Sequence, residues 1–277
     1  MSWELPGPAW LFCPADRPER YAKAAAAADV VIIDLEDGVA EADKAAAREA
    51  LIATPQDPER TVIRVNAAGT VEHMLDLDAL LRTEYRRLML PKCESAEQIT
   101  RLADYEVIAL IESPLGAMAV GRAVMVRNAI GVMWGAEDLV AALGGNSSRH
   151  ADGGYRDVAL HVRSQSLLAA KAYGKFALDS VFLNIPDLDG LAAESQDAVA
   201  VGFDAKVAIH PSQIPVIRRA YAPVPKEVDW AQRLLAEVPN HRGVFTFEGR
   251  MVDMPVIRHA ERIVQRAQVA DSAGFAS

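Results

Sequence analysis

Short apolar runs recur along the chain, each rich in β-branched residues and each ending in polar or charged residues. The runs are nearly continuous in hydrophobicity, which is expected of parallel strands that are buried on both faces. They predict eight strands, over Trp10–Ala15, Val30–Asp37, Thr61–Asn66, Leu88–Lys92, Val107–Ser113, Gly131–Asp138, Ser180–Pro186 and Phe203–His210.

Helical segments separate these runs. The segment that begins at Ser95 has a good N-cap residue and a glutamate in its first turn, both typical of a helix start. The predicted helices cover Pro18–Asp29, Glu41–Ala53, Ser95–Ala103, Leu115–Asn128, Arg156–Tyr173 and Leu188–Val201.

The alternation of strands and helices indicates βαβ units and a parallel sheet. Eight such units favour a closed α/β barrel, the (β/α)8 or TIM barrel, over an open doubly wound sheet. The open sheet is the alternative, but the first predicted strand is not followed by the Gly-x-Gly-x-x-Gly turn of a dinucleotide-binding fold.

Two segments exceed the barrel plan. The first is Leu143–Arg156, a Gly- and Ser-rich loop after the sixth predicted strand. The second follows about Pro223 and predicts a helix, a loop and a last helix, over Lys226–Glu237, Arg242–Arg250 and from about Pro255. We therefore predict a barrel domain over residues 1–222 and a C-terminal helical extension, or lid, over residues 223–277.

Composition and charge narrow the class of protein. A chain of 277 residues has the usual size of a TIM barrel, and 51% hydrophobic residues can fill a large core. A net charge of −9 argues against nucleic acid as a partner. No apolar run is long enough to cross a membrane, residues 1–8 lack a signal-peptide pattern, and two cysteines form no disulfide framework, so we expect a cytoplasmic protein.

Candidate chemistry lies at the carboxyl ends of the predicted strands, where TIM barrels place their active sites. Charges there are costly unless they are paired, solvated or coordinated. Carboxylates without a His or Cys cluster favour Mg²⁺ or Mn²⁺ over zinc, and a ring of structural salt bridges is the alternative. The strand ends are Asp34-Leu35-Glu36-Asp37, Arg64-Val65-Asn66, Pro91-Lys92, Glu112-Ser113, Glu137-Asp138 and His210-Pro211.

These strand-end motifs occur in an order that resembles the citrate lyase β-subunit family of the HpcH/HpaI aldolases, which groups with malyl-CoA and citramalyl-CoA lyases. The resemblance runs from about Leu11 to about Ala260 and includes a closing motif, Glu248-Gly249-Arg250-Met251-Val252-Asp253. The runs that carry it are Asp34-Leu35-Glu36-Asp37-Gly38, Ile63-Arg64-Val65-Asn66, Leu90-Pro91-Lys92, Ile111-Glu112-Ser113, Trp134-Gly135-Ala136-Glu137-Asp138-Leu139 and Ala208-Ile209-His210-Pro211-Ser212-Gln213.

The resemblance implies a role for each matching residue. Glu112 and Asp138 are expected to bind Mg²⁺ and, through it, the substrate. Arg64 is expected to bind the substrate and to stabilise the negative charge of a thioester enolate. Glu36 and Asp37 are expected to hold metal-bound waters, with ion pairs to Lys92 or Arg64 as the alternative.

The same resemblance implies a coenzyme A site and a lid. Arg17 and Lys23 are expected near the coenzyme A phosphates, and His210-Pro211 near its pantetheine arm. Asp253 is expected to reach the site of a neighbouring subunit, in a homotrimer, as proton donor or acceptor. Its local alternative is the N-cap of the last helix.

The activity implied by the resemblance is that of a Mg²⁺-dependent carbon–carbon lyase. It would cleave a 3-hydroxyacyl-CoA of the malyl-, citramalyl- or hydroxymethylglutaryl-CoA type to an acyl-CoA and a 2-oxo acid. Three alternatives stay open. They are the β subunit of a citrate lyase complex acting on an acyl-carrier-protein thioester, a malate-synthase-like condensing enzyme, and a catalytically silent barrel that binds coenzyme A.

Overall fold

The computed structural model describes residues 3–272, and its parallel strands close into a barrel in sequence order, with the eighth strand beside the first. The predicted TIM barrel is confirmed. The last five residues of the predicted extension, 273–277, lie outside the described residues, as do residues 1–2. The strands are β1 Ala9–Pro14, β2 Val30–Asp34, β3 Thr61–Arg64, β4 Arg87–Leu90, β5 Glu106–Ile111, β6 Ala129–Trp134, β7 Phe176–Asp179 and β8 Ala205–Ala208.

Helices follow the strands and pack around the barrel. No described helix has both the length and the hydropathy that crossing a bilayer requires. The helices are α1 Tyr21–Ala27, α2 Lys44–Ala53, α3 Val71–Leu80, α4 Ala96–Thr100, α5 Pro114–Ala123, α6 Ala136–Ala142, α7 Asp157–Ala172, α8 Leu188–Val201, α9 Ile214–Tyr221, α10 Pro225–Glu237 and α11 Met254–Ser272.

The barrel core has an inner and an outer layer because successive strand residues face opposite sides of the sheet. One buried cluster draws on all eight strands, which is possible only inside the barrel. A larger cluster joins the outer faces of the strands to the helices. The inner residues are Trp10, Val30, Ile32, Val62, Met89, Ile108, Leu110, Met133, Leu178, Ala205 and Val207.

The C-terminal segment has its own apolar cluster. Helices α10 and α11 pack on each other, and an antiparallel hairpin of β9 Phe245–Phe247 and β10 Arg250–Val252 lies between them in sequence. The predicted loop over Arg242–Arg250 therefore contains strand β9 and the start of β10. The buried members of this cluster are Ala231, Leu234, Val252, Ile257, Ala260 and Ile263.

The predicted seventh strand, Ser180–Pro186, is wrong, since β7 ends at Asp179. The segment from residue 180 to 186 is a loop, and its Phe182 is buried. An apolar run in this segment therefore reflects the packing of a loop residue and not a strand. The true strand was overlooked because it is short and ends in Asp179, a fully buried charge.

The predicted sixth strand extends too far. Strand β6 ends at Trp134, and Glu137 and Asp138 lie in the first turn of α6. Negative charges are favourable in the first turn of a helix, because the exposed N–H groups there carry partial positive charge. The predicted helices do not include α3, α6 or α9. In α3, exposed apolar residues such as Val71 and Met74 obscure the amphipathic pattern.

Candidate active site

Three charged side chains line the inside of the barrel at the carboxyl ends of β2, β3 and β5. Asp34, Arg64 and Glu112 each lie two residues beyond an apolar residue of the inner cluster. Because side chains alternate along a strand, the same alternation that fills the core turns these three inward. They form the charged layer above the apolar interior, where a TIM barrel binds its substrate.

Arg64 is held rigidly in this layer. Its Nε lies 2.7 Å from Asp34 Oδ1 and its Nη2 lies 2.6 Å from Asp34 Oδ2, a two-point ion pair. Its Nη1 lies 3.2 Å from Glu36 Oε2, and its guanidinium stacks over the ring of Phe12 at 4.7 Å. Burial alone would lower the pKa of Arg64, but Asp34 and Glu36 raise it above its ordinary value, so the side chain stays charged.

Glu36 and Asp37 follow β2 and both contact the ammonium group of Lys92. The Glu36 carboxylate pairs with Lys92 Nζ, and Asp37 Oδ2 lies 3.3 Å from it. Burial raises the pKa of Glu36, while Arg64 and Lys92 oppose that shift. The alternative of ion pairs with Lys92 and Arg64 is therefore the arrangement that the structure contains.

Glu112 is a buried carboxylate beside other negative charges. Its Oε1 accepts a hydrogen bond of 2.9 Å from the backbone N–H of Lys92. Burial raises the pKa of Glu112 to about 8, and the charges of Asp138 and Glu36 add to the shift. A buried carboxylate near other negative charges needs a nearby cation to be stable in its ionised form.

The donor set of Glu112 and Asp138 fits a hard divalent cation. Both are carboxylates, and Mg²⁺ is usually held by one or two carboxylates with its other positions left to water and substrate. Within the described part of the chain, no group of three or more His, Cys, Asp or Glu side chains is arranged to hold a metal.

Sequence reasoning missed residues that shape this pocket. A Cβ added at Gly135 would lie 2.9 Å from Glu112 Oε2, so the position has no room for a larger residue. Ser148 Oγ donates a hydrogen bond of 2.6 Å to Glu137, which ties the loop after α6 to the residue before Asp138. The glycine within Trp134-Gly135-Ala136 was a usable signal, while the Ser148 contact depends on the fold alone.

The residues expected to bind coenzyme A lie on one side of the barrel mouth. Arg17 and Lys23 follow β1, and His210-Pro211 follows β8, which pairs with β1. Arg17, Lys23 and His210 are exposed. His210 accepts a hydrogen bond of 3.2 Å from the Ser212 N–H, so here it caps the turn that follows.

Asp253 lies at the start of α11 and caps it. Its Oδ1 accepts a hydrogen bond of 3.3 Å from the Val256 N–H, and its carbonyl accepts one of 3.0 Å from the Ile257 N–H. The local alternative for this residue, an N-cap, is thus what the chain adopts.

A second charged cluster lies on the outer face of the sheet. Lys206 on β8 is fully buried and contacts Asp179 at 2.9 Å and Glu194 at 2.8 Å. Arg163 lies 3.0 Å from Asp179, and the Trp134 indole N–H donates to the same carboxylate at 2.8 Å. Burial alone would raise the pKa of Asp179, but Lys206 and Arg163 hold it below its ordinary value.

Comparison with known proteins identifies the family. The chain is 60% identical to a citrate lyase subunit beta-like protein of Mycobacterium tuberculosis, over 98% of this chain and all of that protein. It is 31% identical to the human mitochondrial citramalyl-CoA lyase, over 95% of this chain and 86% of that protein.

A solved structure shares the fold. The crystal structure of protein CitE from M. tuberculosis in complex with magnesium, acetoacetate and coenzyme A matches with a TM-score of 0.90 and 61% identity, covering 95% of this chain and 98% of that chain. The HpcH/HpaI aldolase/citrate lyase family matches residues 9–211, and the strand-end motifs had indicated the same family. This chain belongs to the HpcH/HpaI aldolase/citrate lyase family.

Proposed function

We propose that this protein is a Mg²⁺-dependent carbon–carbon lyase that cleaves a 3-hydroxyacyl thioester of coenzyme A into an acyl-CoA and a 2-oxo acid. The observation that carries the proposal is the buried Glu112 carboxylate, which lies within the electrostatic reach of Asp138 and of the rigid Arg64 guanidinium and forms no ion pair among the described residues. The magnesium, acetoacetate and coenzyme A in the M. tuberculosis CitE complex support it.

Glu112 and Asp138 would hold the metal, with Mn²⁺ as a possible substitute for Mg²⁺. When bound, the ion would supply a Lewis acid that polarises the hydroxyl oxygen on the carbon where the carbon–carbon bond breaks. Glu112 is fixed for this task, since the Lys92 amide holds one of its oxygens and Gly135 leaves room beside the other.

Arg64 would stabilise the negative charge that develops as the carbon–carbon bond breaks. The bond's electron pair would pass to the thioester as an enolate, while the hydroxyl would give its proton to the Asp253 carboxylate and become the carbonyl of the 2-oxo acid. A guanidinium already fixed by Asp34 needs no reorganisation when that charge appears. Glu36 and Asp37 support it, through the ion pair of Glu36 with Arg64 and through Lys92.

The enolate must then take up a proton, and Asp253 is our proposed donor. Because Asp253 lies in the C-terminal segment after the barrel, we propose that residues 223–277 form a lid over the site of a neighbouring subunit in a homotrimer. Exposed apolar side chains support subunit contacts on α3 and α5, which carry Met74, Leu75, Leu115 and Met118.

Coenzyme A would lie across the mouth between β1 and β8. Arg17 and Lys23 would meet its phosphates, and the backbone at His210-Pro211 its pantetheine arm. A cytoplasmic location is part of the proposal, supported by two free buried thiols, Cys13 and Cys93, which suit a reducing compartment.

The test is to incubate the purified protein and Mg²⁺ with malyl-, citramalyl- and hydroxymethylglutaryl-CoA, and to follow acyl-CoA and 2-oxo acid by chromatography. We expect cleavage of at least one ester, loss of activity with EDTA, and recovery with excess Mg²⁺. Equal turnover by wild type and Glu112→Gln, or no cleavage of any ester, would contradict the proposal.

Two further reactions separate the alternatives. Release of free coenzyme A during condensation of acetyl-CoA with glyoxylate would indicate a malate-synthase-like enzyme. Cleavage of a citryl thioester of an acyl-carrier protein, with no action on the coenzyme A esters, would indicate a citrate lyase β subunit. Binding of coenzyme A without any turnover would indicate a silent barrel.

A further inference from the structure

Lys92, two residues after the end of β4, has an unusual backbone conformation. Its φ of 48° is in the left-handed region, and among the described non-glycine residues only Lys92 and Glu248 have positive φ. This conformation strains a residue that carries a side chain, and such strain persists where surrounding contacts maintain it. Glu248 lies in an exposed hairpin turn, whereas Lys92 lies at the barrel mouth.

The left-handed turn directs two successive backbone N–H groups to the same neighbouring strand. The amide of Lys92 donates to Glu112 Oε1 at 2.9 Å, and the amide of Cys93 donates to the carbonyl of Leu110 at 3.1 Å. In an extended strand, successive N–H groups point to opposite sides. The strained conformation is therefore what lets the Lys92 amide hold the Glu112 carboxylate.

The side chain of Lys92 reaches in a different direction. Its ammonium pairs with Glu36 and lies 3.3 Å from Asp37, and the second oxygen of Glu36 lies 3.2 Å from Arg64 Nη1. One residue thus contacts the proposed metal-binding carboxylate through its backbone and the proposed enolate-stabilising guanidinium through Glu36.

We propose that Lys92 is a positioning residue that sets the placement of Arg64 relative to Glu112, with its backbone amide holding Glu112 and its ammonium holding Glu36 against Arg64. The proposal rests on the function proposed above. It assigns Lys92 no contact with the substrate, and it separates the work of its backbone from that of its side chain.

The charges of the pocket indicate what the loss of the ammonium would disturb. Asp34, Glu36 and Glu112 are buried carboxylates, and Arg64 is paired with two of them. Without the Lys92 ammonium, Arg64 is the cation that remains paired with Glu36. We then expect Glu36 to attract the guanidinium more strongly and to shift it away from its position on Asp34. Glu112 keeps its amide donor, so metal binding is expected to survive.

Four substitutions separate these contributions. Lys92→Gly keeps the amide, tolerates the left-handed conformation and removes the ammonium. Lys92→Ala removes the ammonium but keeps the strain, Lys92→Met also keeps most of the side-chain length, and Lys92→Arg keeps the charge. Lys171→Met is the matched control, because Lys171 pairs with Asp204 at a partly exposed position outside this pocket.

We expect the loss of the ammonium to lower kcat and to leave metal binding nearly unchanged. In Lys92→Gly and Lys92→Met, kcat should fall by about 10–100-fold, the usual cost of losing a residue that orients catalytic groups. The KM and the Mg²⁺ affinity from calorimetry on the substrate-free protein should each change by less than about threefold. Lys92→Arg should recover part of the lost kcat, and Lys92→Ala should melt about 2–4 °C below Lys92→Gly.

Each arm can overturn the proposal. A wild-type kcat in Lys92→Gly would show that the ammonium has no positioning role. A loss of Mg²⁺ affinity as large as the loss of kcat would show that Lys92 acts on the metal site alone. A Lys92→Ala protein as stable as Lys92→Gly removes the strain argument. If wild type cleaves no ester, the proposed function fails separately, and a crystal structure of Lys92→Gly with Mg²⁺ still tests whether Arg64 moves.

Discussion

Glu112 and Asp179 are both buried carboxylates at the ends of barrel strands, but one faces the inside of the barrel and the other faces the helices. Around Asp179, Lys206, Arg163 and the Trp134 indole hold its pKa below the ordinary value despite burial. Around Glu112, burial and the charge of Asp138 raise the pKa to about 8. Asp179 is paired with cations of the chain, whereas Glu112 forms no ion pair with any of the described residues.

The difference separates charges that serve the fold from charges kept for chemistry. A buried ion pair satisfied by the chain itself is complete without a ligand. A buried carboxylate among like charges destabilises the ligand-free fold, and such perturbed groups concentrate at functional sites. The comparison therefore supports our proposal that the site lies in the interior of the barrel mouth and not at the charged outer face.

The largest effect on turnover is expected from removing an inner carboxylate. Glu112→Gln and Asp138→Asn should abolish Mg²⁺ binding in calorimetry and lower kcat by about 10⁴-fold, since the metal contributes several kcal/mol to the transition state. The metal-free Glu112→Gln protein should also melt above wild type, because a like charge is gone. Mutants that keep turnover in EDTA would remove the distinction between the two clusters.

Asp253 tests whether a carboxylate used as a cap can also do chemistry. Asn caps a helix about as well as Asp, so Asp253→Asn should leave the melting temperature nearly unchanged. As a proton donor it cannot be replaced by an amide, and kcat should fall by about 10²–10⁴-fold. Mixing it with an inactive Arg64→Ala protein should restore some activity if the lid acts between subunits. Ordinary turnover by Asp253→Asn would leave this residue as a cap.

Arg64 tests whether the inner cluster acts in the transition state. Lys would keep the charge but lose the planar two-point contact with Asp34. We expect kcat of Arg64→Lys to fall by about 10²–10³-fold with a smaller change in KM. Steady-state kinetics that show a raised KM and a normal kcat would assign Arg64 to binding instead.

The smallest effect on turnover is expected in the outer cluster, where stability should change instead. Lys206→Met removes the fully buried cation that Asp179 and Glu194 share, leaving them Arg163 and Arg149, and should cost about 3–5 kcal/mol in the free energy of unfolding. The control Lys171→Met breaks a partly exposed pair and should cost about 0–1 kcal/mol. Urea unfolding and kcat of the folded protein check both variants. A large loss of kcat in Lys206→Met would contradict the view that the outer cluster serves stability and not catalysis.

Much of the barrel was predictable because buried parallel strands leave a strong local signal. Strand β3 begins at Thr61 as predicted, and the predicted helix Leu188–Val201 is α8 itself. The wrong predictions occur where an apolar or buried segment is not a strand. The apolar residues around Phe182 lie in a loop and not in a strand, and Asp138 follows an apolar strand but belongs to a helix.

The sequence alone determined the chain's family and the residue types at the barrel mouth, because motifs and the alternation of strands and helices are local patterns along the chain. The roles of Glu112, Asp138, Arg64 and Asp253 stay predictions. Only the tertiary structure decided which charges are compensated, because pairing joins residues far apart in the chain. Lys92 and Glu36 are 56 positions apart, and Asp179 meets Lys206 across 27. The left-handed backbone of Lys92 likewise has no signature in its residue type.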